Sequence, residues 1–146
     1  LYGVPKLKDR IAELAEDLAL TPYLDRASGQ LSAGQKTRLT LAKALINRPE
    51  VLLLDEPTAS LDPDTGDYVR QYLADYLKQT GATMLLASHN MPEVERLCDQ
   101  VIMLRDGRIY DAGPPTALIK RYGRTTLEEV FLDIAREGRK SQAEAP

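Results

Sequence analysis

The sequence predicts an α/β fold in which a mostly parallel sheet is flanked by helices. Residues 51–54 and residues 83–87 form two short, unbroken apolar runs, which are typical of parallel strands buried on both faces. Between them, Val69, Leu73 and Leu77 recur at helical spacing, and Gly81 marks the end of that helix. A strand, a helix and a second strand in this order favour a parallel pair joined by a crossover helix.

Two helices are predicted before the first strand. Across residues 6–20, apolar Ile11, Leu14 and Leu18 recur among charged residues, which predicts an amphipathic helix. Thr21-Pro22 ends this helix because proline cannot continue it. A second helix is predicted over residues 33–47, directly before the first strand.

After the second strand, the pattern predicts a short helix, an antiparallel hairpin and two further helices. The short helix lies near residues 92–98. The hairpin pairs residues 101–104 with residues 108–111, because Asp106-Gly107 supplies a two-residue turn. The last helix is marked by apolar residues at helical spacing, namely Leu127, Val130, Phe131 and Ile134.

Composition excludes several classes of protein. The 146 residues are 43% hydrophobic, which is enough for one ordinary domain with a core. A net charge of -3 gives no indication of a nucleic-acid surface. Cys98 is the single cysteine and predicts a buried thiol in a reducing compartment. No apolar run reaches the roughly 18 residues of a membrane helix.

The segment "LSAGQK" at residues 31–36 opens the second predicted helix. Ser32 and Gln35 have the spacing of a capping box, in which each side chain accepts a hydrogen bond from the other residue's backbone. Unpaired amides and the helix dipole at such an end also attract phosphate. The segment therefore has a structural interpretation and an anion-binding one.

The segment "VLLLDEP" ends the first strand in two carboxylates, Asp55 and Glu56. Ligands of open α/β sheets bind at the carboxyl ends of the strands. An aspartate there can orient the hydration shell of Mg²⁺, and the next glutamate can activate a water for attack on phosphorus. His89, the only histidine, follows the second strand and could contact a phosphate oxygen. A polar turn and an ordinary loop histidine are the alternative interpretations.

Taken together, these segments resemble the ATP-binding cassette (ABC) ATPase family. "LSAGQ" resembles its signature motif, "VLLLDEP" its magnesium and catalytic-base strand, "SLD" at residues 60–62 its dimer-contact loop, and "SH" at residues 88–89 its switch histidine. The resemblance covers residues 1–136 and implies a P-loop NTPase fold. Alanine at position 33 departs from the glycine most common there.

The resemblance implies a role for each matched residue. Asp55 would organise Mg²⁺, Glu56 would be the general base, and His89 would contact the terminal phosphate. Asp62 would communicate across a dimer interface. The residues that would grip the terminal phosphate of an ATP held by the opposite subunit are Ser32, Ala33, Gly34 and Gln35.

The resemblance also implies that this is the later part of a cassette. Residues 1–48 would form a helical subdomain ending in the signature helix, and residues 49–136 the C-terminal half of the ATPase core. Independently of the resemblance, residues 137–146 have almost no apolar content, which predicts a disordered tail. The family's phosphate loop would lie upstream. Residues 29–34 have its glycine spacing, but Gln35 displaces Lys36 by one position and no strand precedes them.

We therefore expect a nucleotide-binding subunit of an exporter, acting with ATP and Mg²⁺, because residues 122–136 further resemble exporter subunits. Its partners would be a second nucleotide-binding domain and transmembrane permease subunits, at the cytoplasmic face of the plasma membrane. No nucleic-acid partner is expected, and the chain alone should be inactive. The alternatives are a soluble cassette ATPase of DNA repair or translation, and a non-catalytic scaffold.

Overall fold

The computed structural model describes residues 3–143, and it describes the surroundings of side chains up to residue 136. The chain divides into two compact units, Leu1–Ala87 and Ser88–Pro146. The subdomain boundary predicted after residue 48 lies inside the first of these units.

The first unit contains the predicted parallel pair of strands. Its elements are α1 (Leu7–Asp17), single 3-10 turns at Thr21–Tyr23 and Ser28–Gln30, α2 (Ala33–Leu45), β1 (Val51–Asp55), α3 (Pro63–Thr80) and β2 (Thr83–Ala87). β1 and β2 are parallel, with Val51 opposite Thr83 and Asp55 opposite Ala87. Helix α3 returns the chain so that the two strands run in the same direction, as the sequence predicts.

Two arginines join α1 to α2 through the ends of these helices. Arg10 donates a hydrogen bond of 2.9 Å to the carbonyl of Leu45, the last residue of α2. Arg38 donates to the carbonyls of Leu18 and Ala19, just beyond α1, at 2.8 Å and 3.0 Å. Because the last carbonyls of a helix have no intrahelical donor, these bonds satisfy acceptors at the C-terminal ends of both α1 and α2.

The sequence prediction that β1 and β2 are buried on both faces is wrong. Leu52 is only 2% exposed, but Leu53 is 73% exposed and Leu85 is 65% exposed. Successive side chains of a strand point to opposite faces, so this alternation means that one face is covered and the other is open. An unbroken apolar run identifies a strand but does not guarantee that the described residues cover both of its faces.

The second unit contains the predicted hairpin and three helices. They are α4 (Met91–Leu97), β3 (Val101–Arg105), β4 (Arg108–Gly113), α5 (Pro115–Tyr122) and α6 (Leu127–Ala143). Asp106 and Gly107 have φ angles of 50° and 72°, which the two-residue turn between β3 and β4 requires. The core consists of Met91, Val94, Val101, Met103, Leu118, Leu127, Val130 and Ile134.

The C-terminal tail differs from the sequence prediction. Helix α6 continues through residues 137–143, where a disordered tail is expected, and residues 144–146 lie outside the described residues. Because extending an existing helix adds one hydrogen bond per residue, a segment without apolar residues can continue a helix anchored upstream. Among the described residues, no helix is long and apolar enough to cross a membrane.

The open face of β1 and β2 predicts self-association of the 146-residue chain. Leu53→Gln should weaken this association about tenfold or more, since burying one leucine side chain contributes about 2 kcal/mol. Concentration-dependent light scattering measures the effect. Leu24→Gln is the matched control, because Leu24 is 53% exposed but lies outside the sheet. A chain that stays monomeric at high concentration, or equal effects of both changes, would contradict this prediction.

Candidate functional site

Asp55 and Glu56 lie where β1 ends, at the carboxyl edge of the parallel pair. Asp55 is the last residue of β1 and lies opposite Ala87, the last residue of β2. The backbone N–H of Glu56 donates a 2.9 Å hydrogen bond to the carbonyl of Ala87. Pairing with β2 therefore continues one residue beyond β1 and fixes the backbone of Glu56 at this edge.

The backbone of Glu56 has a left-handed conformation, with φ of 48°. This region is unfavourable for residues with a side chain and costs on the order of 1–3 kcal/mol. Glu56 thus turns the chain out of the strand. Asp55 is exposed and Glu56 is half-buried, whereas the next residues, Pro57 and Thr58, are buried.

The predicted capping box is present at the start of α2. The Ser32 hydroxyl accepts from the Gln35 backbone N–H at 3.3 Å, and the Gln35 side-chain oxygen accepts from the Ser32 backbone N–H at 2.9 Å. These bonds use acceptor atoms of both side chains. The Ser32 hydroxyl proton, the Gln35 side-chain amide and the first-turn backbone amides of Ala33 and Gly34 are all donors. This group of hydrogen-bond donors suits the binding of an anion.

Gly34 lies against the loop that leads to Asp62. A Cβ atom at Gly34 would lie 3.1 Å from the backbone oxygen of Ser60 and 3.4 Å from a methyl carbon of Leu61. This approach is closer than an ordinary contact, so the absence of a side chain at position 34 allows it. The structure thus brings together two of the predicted segments, "LSAGQ" and "SLD", within the first unit.

Asp62 is the N-cap of α3. Its carboxylate accepts a 3.0 Å hydrogen bond from the Thr65 backbone N–H, and Pro63 follows as the first helical residue. Hydrogen bonds from the Thr65 side chain and, to a smaller extent, from its backbone lower the pKa of Asp62 below its ordinary value. The exposed aspartate therefore has a structural role at this helix end.

His89 is an exposed residue near the start of the second unit, between β2 and α4. Its two neighbours are joined by a hydrogen bond of 3.1 Å, from the Asn90 backbone N–H to the Ser88 hydroxyl. The Asn90 side chain caps α4 by accepting from the Glu93 backbone N–H at 3.2 Å. The backbone on both sides of His89 is thus held in place.

A magnesium ion fits Asp55 only together with ligands from elsewhere. Among the described residues there is no cluster of three or more histidine, cysteine or acidic side chains that could hold a metal. Mg²⁺ keeps several waters and is often bound by one or two carboxylates together with substrate phosphates. A single exposed carboxylate at the strand end is compatible with that mode of binding and incompatible with an all-protein cage.

The structural roles of three residues were not identified from the sequence. Asp62 precedes Pro63, and Asn90 precedes Glu93 by three residues, which are both signals of a helix start that could have been used. Glu93 is completely buried, and its carboxyl accepts a 2.7 Å hydrogen bond from the Ser88 hydroxyl. No sequence pattern indicates this burial, because glutamate is a residue type found mostly at surfaces.

Comparison with known proteins relates this chain to one family. A family model described as ABC transporter matches residues 5–59. The chain is 42% identical over 126 residues to the Nod factor export ATP-binding protein I of Rhizobium sp. (strain N33), covering 86% of this chain and 41% of that protein. It is 38% identical over 138 residues to the methionine import ATP-binding protein MetN of Geobacillus kaustophilus (strain HTA426), covering 88% and 40%.

Solved structures agree with these relatives. An ATP-binding subunit of an ABC transporter matches with a TM-score of 0.80 and 25% identity, over 92% of this chain and 57% of that one. The dimeric ATP-binding cassette MJ0796 in a post-hydrolysis state, bound to ADP and Pi, matches with a TM-score of 0.69 and 29% identity, over 73% and 46%. The chain spans about two-fifths of the length of the two curated relatives.

Gly34→Val should lower the free energy of unfolding by about 1–3 kcal/mol, because the added side chain is forced against the Ser60 backbone. Chemical denaturation measures this change. Gly29→Val is the matched control, since a Cβ at Gly29 would meet nothing within 4 Å and its backbone is not left-handed. An equal loss of stability in both variants would show that the close contact at Gly34 is not the cause.

Proposed function

Because this chain belongs to the ABC transporter family, we propose that it forms part of an ATP-hydrolysing, nucleotide-binding subunit that drives transport. The observation that carries the proposal is the position of Asp55 and Glu56 at the carboxyl edge of the parallel strands. Within the described residues, this edge presents one exposed carboxylate and one half-buried carboxyl group on a backbone fixed by β2.

The two acidic residues have different roles in this proposal. Asp55 orients the hydration shell of Mg²⁺, which supplies charge stabilisation to the phosphates when it is bound. Glu56 accepts a proton from the attacking water, so that the water oxygen bonds to the terminal phosphorus while the bond to ADP breaks. The strained, pinned backbone of Glu56 supports this role because a general base must be held in one position.

The N-terminus of α2 binds the terminal phosphate of an ATP held by a second subunit. The donors of Ser32, Ala33, Gly34 and Gln35 match the negative charge of that phosphate. The methyl group of Ala33 leaves less room for the phosphate to approach the backbone and should weaken phosphate binding only mildly. Contact between Gly34 and the loop before Asp62 supports communication between this phosphate site and the dimer interface. The presence of a dimeric cassette among the structural relatives supports the proposal that a second subunit takes part.

His89 contacts the terminal phosphate as the switch residue. A histidine can donate a hydrogen bond to a phosphate oxygen, and the fixed backbone of its two neighbours limits its range of positions. Its exposed side chain is accessible to a nucleotide.

The proposed partners are a second nucleotide-binding domain and transmembrane permease subunits, with the subunit bound peripherally at the cytoplasmic face of the membrane.

We further propose that the direction of transport is export. Similarity to a Nod factor export protein supports export, while the methionine import protein is almost as similar. Measuring ATP-driven movement of a substrate in inside-out vesicles that contain the complete transporter distinguishes accumulation by an exporter from the absence of uptake.

Glu56→Gln in the full-length protein should lower ATP turnover at least a hundredfold while ATP-dependent dimerisation is retained, because the amide cannot accept the proton of water. Steady-state phosphate release and analytical ultracentrifugation with ATP measure the two properties. Glu50→Gln makes the same chemical change at the amino end of β1 and should leave turnover unchanged. Turnover that survives in Glu56→Gln would favour a different base, or a scaffold without chemistry.

The 146-residue chain alone should neither bind Mg-ATP tightly nor hydrolyse it, because Asp55 and Glu56 act on a phosphate that another segment must position. Isothermal titration calorimetry with Mg-ATP tests this expectation. Micromolar affinity would mean that residues 29–34 serve as a phosphate loop after all.

A further inference from the structure

The β2–α4 loop is fixed by a buried acid that the proposed mechanism does not use. Glu93 is 0% exposed, and the Ser88 hydroxyl donates a 2.7 Å hydrogen bond to its carboxyl oxygen. The same hydroxyl accepts from the Asn90 backbone N–H at 3.1 Å, and Asn90 in turn accepts from the Glu93 backbone N–H at 3.2 Å. These three bonds link the residues on both sides of His89 to the first turn of α4.

The first turn of α4 is itself anchored in the core of the second unit. Met91 and Val94, which lie two residues before and one residue after Glu93 in the helix, are 5% and 7% exposed and belong to the core cluster. A carboxyl group buried at such a position is unfavourable unless hydrogen bonds compensate for lost hydration. The hydrogen bond from the Ser88 hydroxyl supplies such compensation for Glu93.

We infer that Glu93 is a positioning residue for His89, acting through the Ser88 hydroxyl to fix the loop that carries the imidazole. This inference rests on the proposed function, in which His89 contacts the terminal phosphate. Through these hydrogen bonds, the core of the second unit determines the position of the His89 imidazole. Small displacements of a catalytic group can reduce rates severely, so loosening this link should affect turnover more than nucleotide binding.

The test is a double-mutant cycle in the full-length protein, with kcat and KM for ATP as the readouts. Glu93→Met removes the acceptor but keeps a chain of similar length suited to an apolar core. It should lower kcat about tenfold while KM changes little, as expected when a positioning group is lost. Glu93→Gln retains an acceptor oxygen for Ser88 and should keep most of the activity. Glu128→Met, at an exposed position of the same unit, is the matched control.

The decisive comparison uses the His89→Ala background. If Glu93 acts through His89, Glu93→Met should cause no further loss of kcat there, because the group it positions is already gone. The same fold loss in both backgrounds, or full activity of Glu93→Met, would overturn this inference and leave the proposed function intact. Full activity of His89→Ala would overturn the proposed role of His89 and this inference with it.

Ser88→Ala provides a second route if Glu93→Met fails to fold. It removes the shared hydroxyl from a half-buried position and should lower kcat in the parent protein but not in the His89→Ala background. Ser88→Thr retains a hydroxyl and should keep most of the kcat that Ser88→Ala loses. Loss of activity in Ser88→Thr equal to that in Ser88→Ala would mean that the hydroxyl is not the link.

Discussion

The parallel hydrogen bonding between β1 and β2 is the constraint on which the candidate site depends. Its register places Asp55 opposite Ala87, and one further bond joins the Glu56 N–H to the Ala87 carbonyl. Because the strands are parallel, the chain leaves both of them at the same edge of the pair. The acidic pair therefore follows β1 at the edge where β2 ends, and Ser88 and His89 are the next residues of the chain. Within the first unit, a few backbone bonds thus place Asp55 and Glu56 at this edge.

Glu56 is one of five non-glycine residues with positive φ in the described part of the chain. The other non-glycine residues with positive φ in the described part of the chain have ordinary structural explanations. Asp106 forms the hairpin turn, Lys6 precedes α1, and Ala19 and Arg48 follow α1 and α2. Glu56 follows a strand, where continued extended backbone would be less costly. The bond to Ala87 offsets part of this cost, and the result is an acidic side chain fixed just beyond the sheet. An observed outlier at this point supports a functional interpretation of Glu56.

The order of elements could be predicted from the sequence because local signals determine it. Gly81 ends α3, Asp106-Gly107 forms the hairpin turn, and Ser32 with Gln35 caps α2. Exposure could not be predicted in the same way, because the burial of Leu53 depends on what packs against it and not on the apolar run to which it belongs. The burial of Glu93 could not be predicted either, since the identity of a residue does not reveal that its neighbours in space exclude water. The sequence could place Asp55 and Glu56 where a strand ends, whereas the hydrogen bond between Ser88 and Glu93 is visible only in the folded chain.

Hydrogen bonding leaves Ser32, in the first unit, and Ser88, in the second, with different capacities. Each accepts a bond from a nearby backbone N–H, that of Gln35 for Ser32 and that of Asn90 for Ser88. Ser88 also donates its proton inward to the buried Glu93, whereas the capping box leaves the Ser32 proton as a donor. A phosphate oxygen needs donors, so Ser32 suits direct contact with an anion, and Ser88 suits support of the neighbouring His89. The structural and anion-binding interpretations of "LSAGQ" are therefore compatible, because capping occupies the acceptors of that loop and leaves donors available.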